Sequence, residues 1–156
     1  MSREEIFNKL NINDQRIAYV AYHPETHITE ESKICSSILD PLISQGLFPI
    51  VSRPNPDPYG NKLRKELEEY SQKGKILLLK DSLGAKYICA LMEQCEIMLG
   101  NSSSGIFEAS LFNLPVLNIG LRQAGRPFDK NVFSIKNSQE EVFKMVKLYN
   151  GKKIKV

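Results

Sequence analysis

Met98-Leu99-Gly100-Asn101-Ser102-Ser103-Ser104-Gly105-Ile106-Phe107-Glu108-Ala109 reads as a strand that ends in small hydroxylated residues at the point where a helix begins. The first backbone N–H groups of a helix lack internal partners and carry the positive end of its dipole. Main chain and hydroxyls together therefore suit such a junction to an anion such as phosphate. Glu108 falls about one turn into that helix. From there its carboxylate can accept two hydrogen bonds from a vicinal diol, as offered by the ribose beside a diphosphate. The same residues allow a plainer reading, in which a serine caps the helix and Glu108 favours its positive end.

Outward from this junction, short apolar runs alternate with amphipathic stretches over nearly the whole chain. This predicts repeated β-α units, a mostly parallel sheet and a Rossmann-like α/β fold of three layers. The expected strands are Arg16 to Tyr22, Leu47 to Val51, Lys75 to Leu79, Glu96 to Leu99, Pro115 to Ile119 and Asn131 to Ile135. The expected helices are Thr29 to Ser44, Asn61 to Lys73, Ala85 to Gln94, Gly105 to Asn113 and Gln139 to Tyr149. Pro41 lies inside the first of these and removes a backbone donor, so a kink or a shortened helix is expected there.

The 156 residues are enough for one domain with a real core, and 42% hydrophobic with 25% charged residues is the composition of a soluble globular protein. The chain has no apolar run near the roughly 20 residues that span a bilayer, and Met1-Ser2-Arg3-Glu4-Glu5 is too polar to open a signal peptide. A cytoplasmic protein is the expectation. Cys35, Cys89 and Cys95 are odd in number and lack metal-ligand spacing, so they are read as reduced core residues, and no metal site or cofactor is expected. A net charge of +3 without interleaved aromatics argues against a nucleic-acid partner.

In a parallel α/β sheet the loops that follow the strands share one edge, where ligands bind. The polar clusters His23-Pro24-Glu25-Thr26-His27, Arg53-Pro54-Asn55-Pro56-Asp57, Lys80-Asp81-Ser82-Leu83-Gly84, Asn101 to Ser104 and Arg122-Gln123-Ala124-Gly125-Arg126 all fall on that edge. Each has a functional and a plain reading. Arg122 and Arg126 suit a phosphate or form a solvated basic loop. His23 is an acid near a leaving group or a histidine tied at a strand end. Asn55 and Asp57 shape a sugar pocket or a rigid proline turn. Leu83 and Gly84 offer backbone to a nucleobase or merely begin a helix.

Taken together, His23-Pro24-Glu25-Thr26, Pro54-Asn55-Pro56-Asp57 with Gly60, Ser82-Leu83-Gly84 with Tyr87, Gly100 to Ala109, Pro115-Val116-Leu117-Asn118-Ile119-Gly120, and Arg122-Gln123-Ala124-Gly125-Arg126 with Asn131-Val132 resemble the C-terminal half of UDP-N-acetylglucosamine 2-epimerases. The Asn-Ser-Ser-Ser-Gly form is similar to the hydrolysing branch, which releases N-acetylmannosamine and UDP. The resemblance implies one of the two Rossmann-like domains of a glycosyltransferase-B-like architecture, with substrate in the cleft between them. It implies a UDP site formed by Ser102, Ser103, Ser104, Gly105, Glu108, Arg122, Leu83 and Gly84, with the serines on the diphosphate and Glu108 on the ribose. His23 would act at the sugar-side pyrophosphate oxygen, and Asn55, Asp57, Gln123 and Arg126 would border the sugar. In the family the reaction starts with loss of the sugar C2 proton and anti-elimination of UDP, followed by addition of water.

The same resemblance places the family's acid and base carboxylates in the N-terminal half. It therefore implies an isolated chain that is inactive alone, with UDP or UDP-N-acetylglucosamine and the other domain as partners, and a homo-oligomer as one form of the full-length protein. Residues 1–13 are expected as a linker or entry helix, 14–150 as the Rossmann-like UDP-binding domain and 151–156 as a truncated tail. A free-standing nucleotide-sugar-binding module and the C-terminal domain of a glycosyltransferase are the alternative readings.

Overall fold

A computed structural model describes all residues except 24–33, 55–59 and 121–126. The chain runs α1 (Arg3–Leu10), β1 (Ile17–Ala21), a π-helical segment (Cys35–Leu39) leading into α2 (Asp40–Ser44), β2 (Phe48–Val51), α3 (Gly60–Gln72), β3 (Leu77–Leu78), α4 (Gly84–Gln94), β4 (Ile97–Gly100), α5 (Ser103–Ala109) with a 3-10 turn (Ser110–Phe112), β5 (Val116–Ile119), β6 (Val132–Ile135) and α6 (Gln139–Tyr149). The six strands form one sheet in the order β3-β2-β1-β4-β5-β6, and every neighbouring pair is parallel. This is the α/β Rossmann-like sheet that the alternating pattern predicts.

Alternate residues of each strand face opposite sides, and both sides are covered. Ala18, Val20, Leu99 and Leu117 pack with the π-helical segment, α2, α3 and α6 through Ile38, Leu42, Leu67 and Val146. Tyr19, Ala21, Ile50, Met98 and Val116 pack with α1, α4 and α5 through Phe7, Leu91, Met92, Ile106 and Ala109. Helix α1 is held against this second face: Ile6 is fully buried, and Arg3 bonds Asp14 at 2.8 Å and the Gln15 carbonyl at 2.7 Å.

Three elements differ from the sequence expectation. Residues 29–33 of the first expected helix lie outside the described residues, and the remainder opens as a π-helical turn rather than an α-helix. Pro41 explains the change: it has no N–H, and its ring crowds the carbonyl one α-turn back, so a wider turn ahead of it relieves the clash. Strand β3 keeps only Leu77 and Leu78 of the expected Lys75 to Leu79, the two residues in register with Ile50 and Val51 of β2. Helix α5 begins at Ser103, two residues ahead of the expected start, and tightens into the 3-10 turn after Ala109. Cys35 and Cys95 are buried and Cys89 half-buried, and all three are free thiols. Burial first, then the nearby Glu66 carboxylate, pushes the Cys35 thiol up to about 12.

Chain order reverses between β1 and β4: from β1 the sheet is built outward to β2 and β3 on one side, and from β4 to β5 and β6 on the other. Crossover connections then diverge, leaving a crevice at the carboxyl ends of these two central strands, where ligands of open α/β sheets bind.

Candidate functional site

The crevice is closed at its base by a contact that only glycine allows. Gly100, the last residue of β4, has φ +142°, and a Cβ built on it would lie 2.1 Å from the Ala21 carbonyl oxygen at the end of β1. The approach lets the Asn101 N–H reach that oxygen at 3.0 Å. The Asn101 side chain, fully buried, then takes over from the ladder. Its Oδ1 accepts from the His23 N–H at 2.8 Å, and its Nδ2 donates to the His23 carbonyl at 2.8 Å. One side-chain amide thus holds the main chain of His23 at both of its polar groups, fixing where the imidazole starts from.

Above this clamp lies a cavity of about 430 Å³ whose lining includes Tyr19, His23, Ser52, Arg53, Asp81, Leu83, Gly84, Ile88, Ser102 and Glu108. Five residues that the sequence singles out, His23, Leu83, Gly84, Ser102 and Glu108, therefore meet around one space although they come from three separate loops and helix starts. Ser103 is half-buried at the first position of α5, and Ser104 and Gly105 belong to the same helix. Asn55, Asp57, Arg122, Gln123 and Arg126 lie outside the described residues.

The plain reading of the serine run fails at a specific atom. Ser102 occupies the N-cap position of α5, with φ −79° and ψ 119°, but its side chain makes no capping hydrogen bond. By contrast, Ser2 caps α1 by accepting from the Glu5 N–H, and Ser138 caps α6 by accepting from the Glu141 N–H. Serine thus caps α1 and α6 but not α5, where Ser102 is one of the residues lining the cavity. Helix α5 begins beside this wall, and the first N–H groups of a helix have no partner within the helix.

On the floor, Tyr19 comes from β1 and Ser52 from the residue that follows β2. The register that pairs Tyr19 with Ile50 puts Ser52, two residues further on, on the same side of the sheet as Tyr19. Burial pushes the Tyr19 phenol up to about 12; the neighbouring Cys95 and Glu108 add to the shift and the Ser52 hydroxyl opposes it. The phenol is therefore a hydrogen-bond donor at neutral pH. At the rim Arg53 is paired with Glu68 at 3.0 Å, so part of its charge is already balanced.

Tyr19, Ser52 and Asn101 are the residues that sequence reading does not mark as functional. Tyr19 sits inside an apolar strand and looks like core. Asn101 reads as one more polar residue in a loop, since its partner is 78 positions away and becomes visible only once β1 and β4 are known to be neighbours.

Comparison with known proteins shows the family. The family model described as UDP-N-acetylglucosamine 2-epimerase matches residues 1–155. Among curated proteins, the chain is 34% identical over 123 residues to a UDP-N,N'-diacetylbacillosamine 2-epimerase (hydrolyzing) of Legionella pneumophila, covering 78% of this chain and 32% of that protein. It is 36% identical over 124 residues to a GDP/UDP-N,N'-diacetylbacillosamine 2-epimerase (hydrolyzing) of Campylobacter jejuni, covering 76% of this chain and 32% of that one. The chain thus spans about a third of the length of these relatives. Among solved structures, UDP-N-acetylglucosamine 2-epimerase from Rickettsia bellii superposes with a TM-score of 0.69 at 25% identity, over 95% of this chain and 39% of that one. The S. aureus MnaA–UDP co-structure gives 0.69 at 16% identity over 98% and 42%. E. coli ADP-heptose lps heptosyltransferase II gives 0.71 at 10% over 96% and 52%. The last two show a shared fold, which extends to glycosyltransferases.

Proposed function

Since the chain belongs to the UDP-N-acetylglucosamine 2-epimerase family, we propose that it is the nucleotide-binding part of a hydrolysing UDP-sugar 2-epimerase and that the cavity at the β1–β4 crevice takes UDP. The observation that carries this is the convergence of Ser102, Glu108, His23, Leu83 and Gly84 on one space of about 430 Å³. A pocket of this size suits a nucleotide.

The chemistry of the lining supports the following arrangement of the ligand. The diphosphate lies against the start of α5, where N–H groups and the uncapped Ser102 hydroxyl supply donors. Glu108 accepts from the ribose diol, and the base reaches the Leu83–Gly84 corner at the start of α4. Ser103, Ser104 and Gly105 belong to the diphosphate end, and Arg122 is assigned there by its motif. Asn55, Asp57, Gln123 and Arg126 are assigned to the sugar side on the same ground.

Departure of UDP puts growing negative charge on the oxygen that bridged sugar and phosphate. Donors fixed in advance around that oxygen stabilise the transition state more than the ground state. We assign this task to His23, whose main chain is held by Asn101 through two hydrogen bonds of 2.8 Å. The share of the work done by this chain is leaving-group stabilisation. The carboxylates that remove and deliver the sugar C2 proton belong to the rest of the enzyme.

Calorimetric titration with UDP and with uridine tests the assignment, repeated with Glu108→Ala. The expected result is saturable UDP binding, uridine at least tenfold weaker, and a drop of about tenfold in the variant for both ligands, the size of one charge-assisted hydrogen bond. Equal affinity for UDP and uridine, or no binding by folded chain, would sink it. Joined to its catalytic partner domain, the chain should support release of an N-acetylmannosamine-type sugar together with UDP. Sugar transfer without that release would point to a glycosyltransferase instead.

A further inference from the structure

Arg53 lines the cavity at its rim and is held there twice by one side of α3. Its Nη2 donates to Glu68 Oε1 at 3.0 Å. The carbonyl of the next residue, the buried Pro54, accepts from Arg64 Nη2 at 3.2 Å. Arg64 and Glu68 are four positions apart, so they stand one turn from each other on the same side of the helix. The backbone is constrained as well. The Ser52 N–H donates to the Val20 carbonyl at 2.9 Å, and a residue that precedes proline is pushed toward extended backbone. Lys80, which also lines the cavity, has no hydrogen bond or ion pair among the described residues. Ordering an arginine costs rotamer freedom, and an exposed ion pair returns little stability for it. The cavity is where an ordered guanidinium has a use.

Strand order decides which part of a nucleotide lies beside Arg53. The sheet runs β3-β2-β1-β4 across the crevice, with neighbouring strands about 4.8 Å apart. Arg53 leaves β2, the Leu83–Gly84 corner lies beyond β3, and Ser102 follows β4. The ends of β2 and β3 are tied together, the Leu79 N–H donating to the Val51 carbonyl at 2.9 Å. The start of α5 is two strands from β2, about 10 Å. A diphosphate at α5 with its base at Leu83–Gly84 therefore brings the base, rather than the phosphates, next to Arg53. A guanidinium donates and never accepts, so it matches a carbonyl oxygen and repels an amino group. Uracil has a carbonyl at C4, where cytosine has an amine.

Resting on the reading of the cavity as a UDP site, we propose that Arg53 donates to the C4 carbonyl of the base and selects uracil over cytosine, with Glu68 and Arg64 as its positioning residues. Glu68 engages a single N–H of the guanidinium, which leaves donors for the ligand.

Calorimetry compares UDP, CDP and uridine on the parent chain, Arg53→Met and Glu68→Ala, alongside the melting temperature of each protein. The parent should bind CDP about tenfold or more weakly than UDP, the size of one charge-assisted hydrogen bond. Arg53→Met should bind UDP and uridine each about tenfold more weakly, and CDP within about threefold of the parent. Glu68→Ala should narrow the UDP-to-CDP ratio by about threefold or more while melting within about 4 °C of the parent, because the ion pair is exposed. A merely structural role for the pair would shift the melting temperature and leave the ratio alone. A loss confined to UDP in Arg53→Met, with uridine unaffected, would put Arg53 on the phosphates and overturn the proposal. An unchanged UDP-to-CDP ratio in both variants would overturn it too. Both of those results keep UDP bound to the parent and leave the nucleotide reading standing, whereas no UDP binding by the folded parent would overturn the two together.

Discussion

Gly100→Ala is the most demanding perturbation of the crevice, because it adds one methyl group at the point where β1 and β4 converge. The new Cβ would stand 2.1 Å from the Ala21 carbonyl oxygen and 2.6 Å from its carbon, both of them backbone atoms. No side-chain rotation relieves such a contact, so the strand ends must separate. Holding an L residue at φ +142° costs about 1–3 kcal/mol. Forcing apart a packed backbone adds about 1–3 kcal/mol. The sum, roughly 2–6 kcal/mol, is a large part of the 5–15 kcal/mol that keeps a domain folded. It corresponds to a fall of roughly 5–20 °C in melting temperature for a chain of this size. Gly46→Ala is the control, since Gly46 also has positive φ, +81°, but nothing lies within 4 Å of a Cβ there. It should cost only about 1–2 kcal/mol, the conformational part. Urea unfolding of both variants gives the two numbers, and their difference is the clash. Equal and small losses for Gly100→Ala and Gly46→Ala would refute the close approach and the crevice geometry built on it.

Three further outcomes follow from the site. Asn101→Ala should destabilise by about 2–4 kcal/mol by urea unfolding, because the His23 N–H and carbonyl each lose the hydrogen bond that Asn101 makes to them from a fully buried position. Asn101→Asp keeps an acceptor for the His23 N–H but loses the donor to its carbonyl and adds negative charge near the diphosphate. UDP affinity should fall at least tenfold, and less at pH 5 than at pH 8, a pH dependence that a neutral loss of packing would not give. Tyr19 supplies a third outcome. Its phenol titrates near 12 in the fold against about 10 in the unfolded chain, so its contribution is full below pH 10 and is lost as pH rises from 10 to 12. Melting temperature against pH should therefore fall less steeply above pH 10 in Tyr19→Phe than in the parent, and identical slopes would contradict the buried, neutral phenol.

Much of the architecture is legible in the sequence because a parallel sheet covered on both faces leaves short, continuous apolar runs such as Ile17 to Ala21 and Ile97 to Gly100. What escapes are features decided by neighbours in space. The run Ile76-Leu77-Leu78-Leu79 has the apolar character of a full strand, yet only Leu77 and Leu78 fall in register with β2. Pro41 announces a disturbance, but whether the helix bends, stops or widens into a π turn depends on what packs against it. The site divides in the same way. Ser102 and Glu108 are visible because a strand-to-helix junction is a local pattern, and His23 because it closes a strand. Asn101, Tyr19 and Ser52 acquire their roles from the strand order, which places β4 and β2 on either side of β1, and no local pattern encodes that order.

The measurement that reaches the central claim most directly is a crystal structure of this chain with UDP bound. The account predicts the diphosphate at the start of α5 beside Ser102, a ribose hydroxyl within hydrogen-bond distance of the Glu108 carboxylate, and the base against Leu83 and Gly84. UDP seated away from the β1–β4 crevice, or bound there with its phosphates turned from α5, would contradict it.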